Sequence, residues 1–157
     1  MSAIDLSAIC KLPKRGDKLF FIFARFEFAL KKANFVIAKG KDDVVQADWD
    51  SFAKKRLGPD FFYKVTRQKI AQTILESPPS KQIISDGNID WQSTLPPTDI
   101  QTLIGAVCRV RNNLFHGGKS GDIDAERNDK LIEESIAILL LALEACEDVR
   151  WPFEGKY

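Results

Sequence analysis

Between Leu19 and Phe35 the chain places six of its eleven phenylalanines, with no proline or glycine among them. Such a segment predicts a helix from Asp17 to about Ala38, apolar nearly all round, that belongs at the centre of a core rather than on a surface. Asp17 is the expected N-cap and Lys39-Gly40 the expected stop. The most apolar run, Leu19 to Leu30, is interrupted by Arg25 and Glu27 and is shorter than the roughly 20 residues of a membrane span. A soluble core helix is therefore expected. At 157 residues the chain buries roughly 70% of the surface its unfolded form exposes, so it needs neither disulfides nor metal to fold. A single domain over 1–157 is expected.

The remaining pattern is also helical. Ala47 to Leu57 reads as a short amphipathic helix, with Trp49, Phe52, Ala53 and Leu57 on one side and Gly58-Pro59 as its end. Asp60 is expected to cap a third helix that runs to Pro78-Pro79. The stretch 78–97 does not read as helix. There Ile83-Ile84 and Ile89-Asp90-Trp91 flank Asp86-Gly87, which signals a small β-hairpin insertion; a packed connecting loop is the plainer alternative. Thr98 and Gln101 form a capping box at the head of a helix ending at His116 before Gly117-Gly118. Asp124 is expected to cap a last helix through about Val149, which the tail from Arg150-Trp151-Pro152 cannot continue. The fold class expected is all-α, a bundle of about five helices with core 17–149.

Several function classes fall away on composition. Twenty-three basic against 22 acidic residues leave a net charge of +1, so any nucleic-acid affinity must come from a local patch. A single histidine, His116, excludes a zinc finger or multi-histidine metal site within one chain. Cys10, Cys108 and Cys146, odd in number and far apart, read as reduced thiols. The first sixteen residues lack the apolar run of a secretion signal. A cytoplasmic protein with no metal or other cofactor is expected.

On the helix from Thr98 to His116 an apolar stripe runs through Ile100, Leu103, Val107, Val110 and Leu114. At about 100° per residue, Gly105, Arg109, Asn112 and His116 gather on the other side, with Arg111 at the flank. The histidine therefore lies on a polar face. The plain reading is a helix stop: Gly117 left-handed, with His116 and Arg111 near the negative helix end. Against it, Asn112 and Asn113 are poor mid-helix residues, which suggests that those groups are used.

The string Arg111-Asn112-Asn113-Leu114-Phe115-His116, followed by Gly117-Gly118-Lys119, has the form R-x4-H. It resembles the motif of the HEPN superfamily of small all-helical domains. The setting adds to the likeness, because the motif closes a helix near the C-terminal end and a last apolar helix follows. Arg25-Phe26-Glu27-Phe28-Ala29-Leu30-Lys31 also looks like the start of bacterial members. The resemblance covers Asp17 to Val149 apart from 78–97.

What the resemblance implies is a metal-independent endoribonuclease, of the kind found as toxins or phage-defence effectors. Arg111 and His116 would be catalytic, with Asn112 in support. The residue types suit the chemistry. A neutral imidazole can take the proton of a ribose 2′-OH, which then attacks the adjacent phosphate, while a guanidinium holds the charge that builds there. Arg109, Lys119 and Glu27 are candidates for substrate contact; their plainer roles are a surface arginine, a solvated loop lysine and an ion pair with Lys31. One histidine per chain cannot serve as both acid and base, so a homodimer through the 98–116 helix face is expected, with Gly105 allowing close approach. RNA is the expected substrate, and a small nucleotidyltransferase the antitoxin expected beside it. The alternative within the same resemblance is a non-catalytic HEPN module that binds nucleotide, RNA or a protein partner.

Overall fold

The phenylalanine-rich segment forms α1, Gly16–Lys32, in the computed structural model, which describes Ile4, residues 13–116 and residues 124–156. The helix stops six residues before the expected Ala38. Asn34 takes the left-handed conformation at φ 65°, and the Phe35 amide reaches back to the Leu30 carbonyl at 2.8 Å, satisfying the open end. The β-branched residues beyond it then pair as a strand: β1 (Val36–Ile37) lies antiparallel to β2 (Gln46–Ala47). At the other end Asp17 is not the N-cap; it lies in the first turn, where its carboxylate accepts from the Lys18 amide at 2.8 Å. Burial is also one-sided. Leu19, Phe23, Phe26, Ala29 and Leu30 are in the core, whereas Phe20 and Phe21 are exposed.

Asp48 caps α2 (Trp49–Phe52) by accepting from the Ser51 amide. A wide π-type turn, Ala53–Leu57, leads to Gly58, whose φ of 67° turns the chain into α3 (Gly58–Arg67). Asp60 sits in the first turn of α3 and makes no cap, because Pro59 already opens the helix without a free N–H. The single helix expected up to Pro78 is two, since Lys69 at φ 55° breaks it before α4 (Gln72–Glu76). The start of α4 is satisfied from a distance: the two Glu134 carboxylate oxygens accept from the Thr73 and Ile74 amides, each at 2.9 Å.

The expected hairpin is present as β3 (Lys81–Ser85) and β4 (Asn88–Gln92), with Ile84 opposite Ile89. Its turn needs two residues at positive φ, supplied by Asp86 at 50° and Gly87 at 77°. The capping box of α5 (Ile100–Phe115) lies one residue later than expected, on Asp99 and Thr102 rather than Thr98 and Gln101. Asp99 accepts from the Thr102 amide at 2.8 Å, and that bond holds its carboxyl below the ordinary 3.8. Asp124 caps α6 (Ala125–Ala145) as expected. The helix stops at Ala145, short of the expected Val149, and after Cys146 a separate α7 (Glu147–Phe153) takes in Arg150-Trp151-Pro152. Arg25, which interrupts the apolar run of α1, donates to the Phe153 and Pro152 carbonyls at 2.8 and 2.9 Å and so closes the end of α7.

The chain is therefore mostly helical with two small antiparallel hairpins, not purely helical. One contiguous core joins the helices, with Phe26, Leu30, Phe52, Leu103, Ile138 and Leu139 fully buried. In it α1 packs against α5, α6 and α7. Among the described residues, no helix is long and apolar enough to cross a membrane.

Candidate functional site

The stripe of α5 is buried at Ile100, Leu103, Val107 and Val110 and partly buried at Leu114, which fixes how the rest of the helix is presented. On the side away from the core, Gly105, Arg109, Asn112 and His116 line one open groove, faced by Lys81 and Gln82 of β3. The groove holds about 400 Å³. His116 and Asn112 are exposed, and Arg109 is half-buried with Nη1 3.5 Å from Thr94 Oγ1. His116 is the last residue of the helical path, its amide donating to the Asn112 carbonyl at 2.9 Å. A Cβ added to Gly105 would meet nothing within 4 Å, so this face is open to close approach.

Arg111 goes elsewhere. Five residues at about 100° each leave it about 140° around the helix from His116, on the side facing α1. Its Nη2 lies 3.1 Å from Glu27 Oε1, and its guanidinium sits 4.5 Å over the Phe23 ring. The same Glu27 oxygen accepts from the Trp49 indole at 3.1 Å. Glu27 thus holds Arg111 and Trp49 together rather than pairing with Lys31. Arg111 Nε is buried and has no hydrogen-bond partner among the described residues. The structure therefore brings His116, Asn112 and Arg109 into one groove, and Arg111 and Glu27 into a cluster on the opposite flank. Lys119 lies outside the described residues.

Two residues outside the candidate site set, Asn113 and Arg127, hold this arrangement. Asn113 is 6% exposed, and its Nδ2 donates to the Ser80 carbonyl at 2.8 Å, pinning the entry of the hairpin to α5. Its signal was present in the sequence: an amide beside the apolar stripe of a helix needs a buried partner. Arg127 grips the preceding turn of chain, donating to Ser77 Oγ and to the Ser77 and Pro78 carbonyls. With both anchors in place β3 stands as a fixed wall of the groove. Trp49 carried no signal, because its contact spans 22 residues.

Cys108 also lines the groove. Burial, opposed more weakly by the Arg111 charge, pushes its thiol up to about 12. A thiol so protonated is no nucleophile near neutral pH. No group of three or more His, Cys, Asp or Glu that could hold a metal ion occurs among the described residues. The groove offers an imidazole, three side-chain amides and two cationic side chains, a set suited to proton transfer beside an anion. Comparison of the chain with protein-family models, with curated proteins and with solved structures gives no match.

Proposed function

We propose that this chain is a metal-independent endoribonuclease of HEPN type, built on a helical bundle and acting as a homodimer. The observation that carries the reading is the groove in which exposed His116 and Asn112 share a wall with Arg109, opposite Lys81. In this reading Arg109 and Lys81 receive the phosphate, with Lys119, three residues after His116 in sequence, added to them. The neutral His116 imidazole takes the proton of the ribose 2′-OH, and the oxygen so freed attacks the neighbouring phosphorus. The bond to the 5′-oxygen breaks, leaving a 2′,3′-cyclic phosphate and a 5′-OH. The departing oxygen needs a proton from the other side of the phosphate, and with one histidine per chain the second imidazole comes from a second copy. The open face at Gly105 suits that approach. Asn112 orients the strand, and for Arg111 to act on the same phosphate its side chain must leave Glu27 and swing around the helix end to the His116 side.

The reading places the protein in a cytoplasm as a toxin or defence effector, with a small nucleotidyltransferase as its antitoxin. One observation favours the alternative, a non-catalytic HEPN module that binds nucleotide, RNA or protein: Arg111 is engaged by Glu27 and Phe23, away from the His116 groove. The test separates the two. Purified protein is incubated with mixed cellular RNA, with and without EDTA, beside His116→Ala. The enzyme reading expects cleavage insensitive to EDTA, cyclic-phosphate ends, and loss of cutting in a variant whose stability changes by only about 0.5 kcal/mol. Cleavage by His116→Ala equal to the parent, or cleavage that needs added magnesium, overturns it. Binding without cutting selects the alternative.

A further inference from the structure

The flank of α5 opposite the histidine groove ends in an aromatic recess that the proposed chemistry does not use. Phe20 and Phe21 on α1 and Phe115 on α5 are 45%, 70% and 62% exposed, although such rings are ordinarily among the most buried side chains. Their arrangement is ordered. The Phe20 and Phe115 rings lie 6.2 Å apart and within 5° of parallel, and Phe21 meets Phe20 edge-on at 5.9 Å. The recess they wall holds about 280 Å³ and includes Arg111 and Asp17 in its lining. That volume falls just below the roughly 300 Å³ at which drug-sized ligand clefts start, and it suits a single flat ring better than a docked helix. Phe115 also touches the catalytic candidate: its ring stands edge-on to the His116 imidazole at 5.5 Å. An apolar recess of flat rings therefore adjoins, through one residue, a groove lined by cationic groups.

We propose that this recess is a nucleobase-stacking site, which takes an unpaired base of a strand whose phosphate lies at the His116 groove. The inference rests on the ribonuclease reading for the strand's identity. Two features select a base over a purely apolar occupant. Exposed aromatic faces beside cationic side chains are the pattern by which proteins hold single-stranded nucleic acid, because every base has a face to stack and every linkage a charge to neutralise. Asp17, whose carboxylate accepts from a backbone amide at 2.8 Å, sets a hydrogen-bond acceptor in the lining, where the N–H edge of a base finds a partner and an aliphatic side chain does not. Among the described residues the parallel rings have no counterpart in the histidine groove, so in this proposal phosphate and base are handled on different sides of one helix end.

The test uses full-length His116→Ala protein, which leaves the strand uncut, and fluorescence anisotropy with a labelled oligoadenylate. The same ribose-phosphate chain without bases serves as the control. Phe20→Ala and Phe115→Ala are each expected to weaken oligoadenylate binding on the order of tenfold and to leave the base-free strand unaffected. The salt dependence should keep its slope, because no charge has been removed. Phe115→Trp, in which a base can still stack, is expected to restore affinity and to be quenched on binding. Unchanged affinity in both alanine variants, or equal binding of the two strands, overturns the proposal. So does a loss of self-association in light scattering with RNA affinity unchanged, which would mean that a second copy covers the rings. Ring-dependent binding in a protein whose unmutated form cuts no RNA would sink the ribonuclease reading and leave the stacking site standing.

Discussion

Replacing Glu27 perturbs the cluster that holds Arg111, and the size of the effect follows from what Glu27 touches. Its Oε1 accepts from the Trp49 indole and from Arg111 Nη2, both at 3.1 Å, and the ion-paired side chains are 31% and 30% exposed. The Trp49 bond goes to a carboxylate and contributes about 1.5 kcal/mol net, the low end for a charged acceptor because Glu27 is partly exposed. The ion pair stands between exposed pairs, worth about 0–1 kcal/mol, and buried ones, whose breaking costs about 3–5 kcal/mol; its exposure puts it near 1–2 kcal/mol. Glu27→Ala loses both, and takes the Nη2 acceptor from a guanidinium whose Nε already has no partner among the described residues. A destabilisation of about 3 kcal/mol is expected, or a fall in Tm of about 5–10 °C for a domain of this size. Glu27→Gln keeps an oxygen for Trp49 and gives up the charge, so about 1 kcal/mol is expected. Thermal melts followed by circular dichroism measure both. A double-mutant cycle of Glu27→Ala with Arg111→Ala isolates the pair, with an expected coupling near 1 kcal/mol. Glu27→Ala melting within about 1 °C of the parent would refute the reasoning, as would a coupling of zero.

Other substitutions test the groove and its supports. Asn113→Ala removes the amide that holds the Ser80 carbonyl, and about 1–2 kcal/mol of destabilisation is expected. Hydrogen exchange should quicken in β3 and β4 more than in α6; a uniform change would show that Asn113 does not anchor the hairpin. The Cys108 thiol at about 12 and the Cys146 thiol at about 11, both raised by burial, predict slow alkylation at pH 8. Against the ordinary value of 9.0, Cys108 has roughly a thousandth of the thiolate. Peptide-resolved mass spectrometry after iodoacetamide should show labelling only on unfolding, and prompt native labelling would disprove it. The Asp99 carboxyl is held below 3.8, so its charge adds stability above that pH, and this is lost as pH falls through the lower folded value. Melts of Asp99→Asn and the parent should therefore converge in acid; a difference that grows instead would reverse the sign.

The sequence alone carried the information that is local. The mostly helical class, the hairpin turn at Asp86-Gly87, the Asp124 cap and the buried stripe of α5 depend on periodicity and on single-residue backbone preferences, and these act within a few residues. The same locality explains the polar face that joins Arg109, Asn112 and His116, since helical spacing sets it before any packing occurs. Where two local choices were nearly equal, tertiary context decided between them. Thus α1 gave way at Asn34, where Val36 and Ile37 gained strand partners in Ala47 and Gln46, whereas Asp99 displaced Thr98 as cap through a box with Thr102 that is itself local. Contacts across the chain belonged to the fold alone. Glu27 meets Arg111 across 84 residues and Asn113 meets Ser80 across 33, distances over which no pattern in a single sequence constrains the partner. The side to which Arg111 turns, and the exposure of Phe20 and Phe21 in a segment that reads as apolar nearly all round, follow from which helices pack against α1 and where they stop.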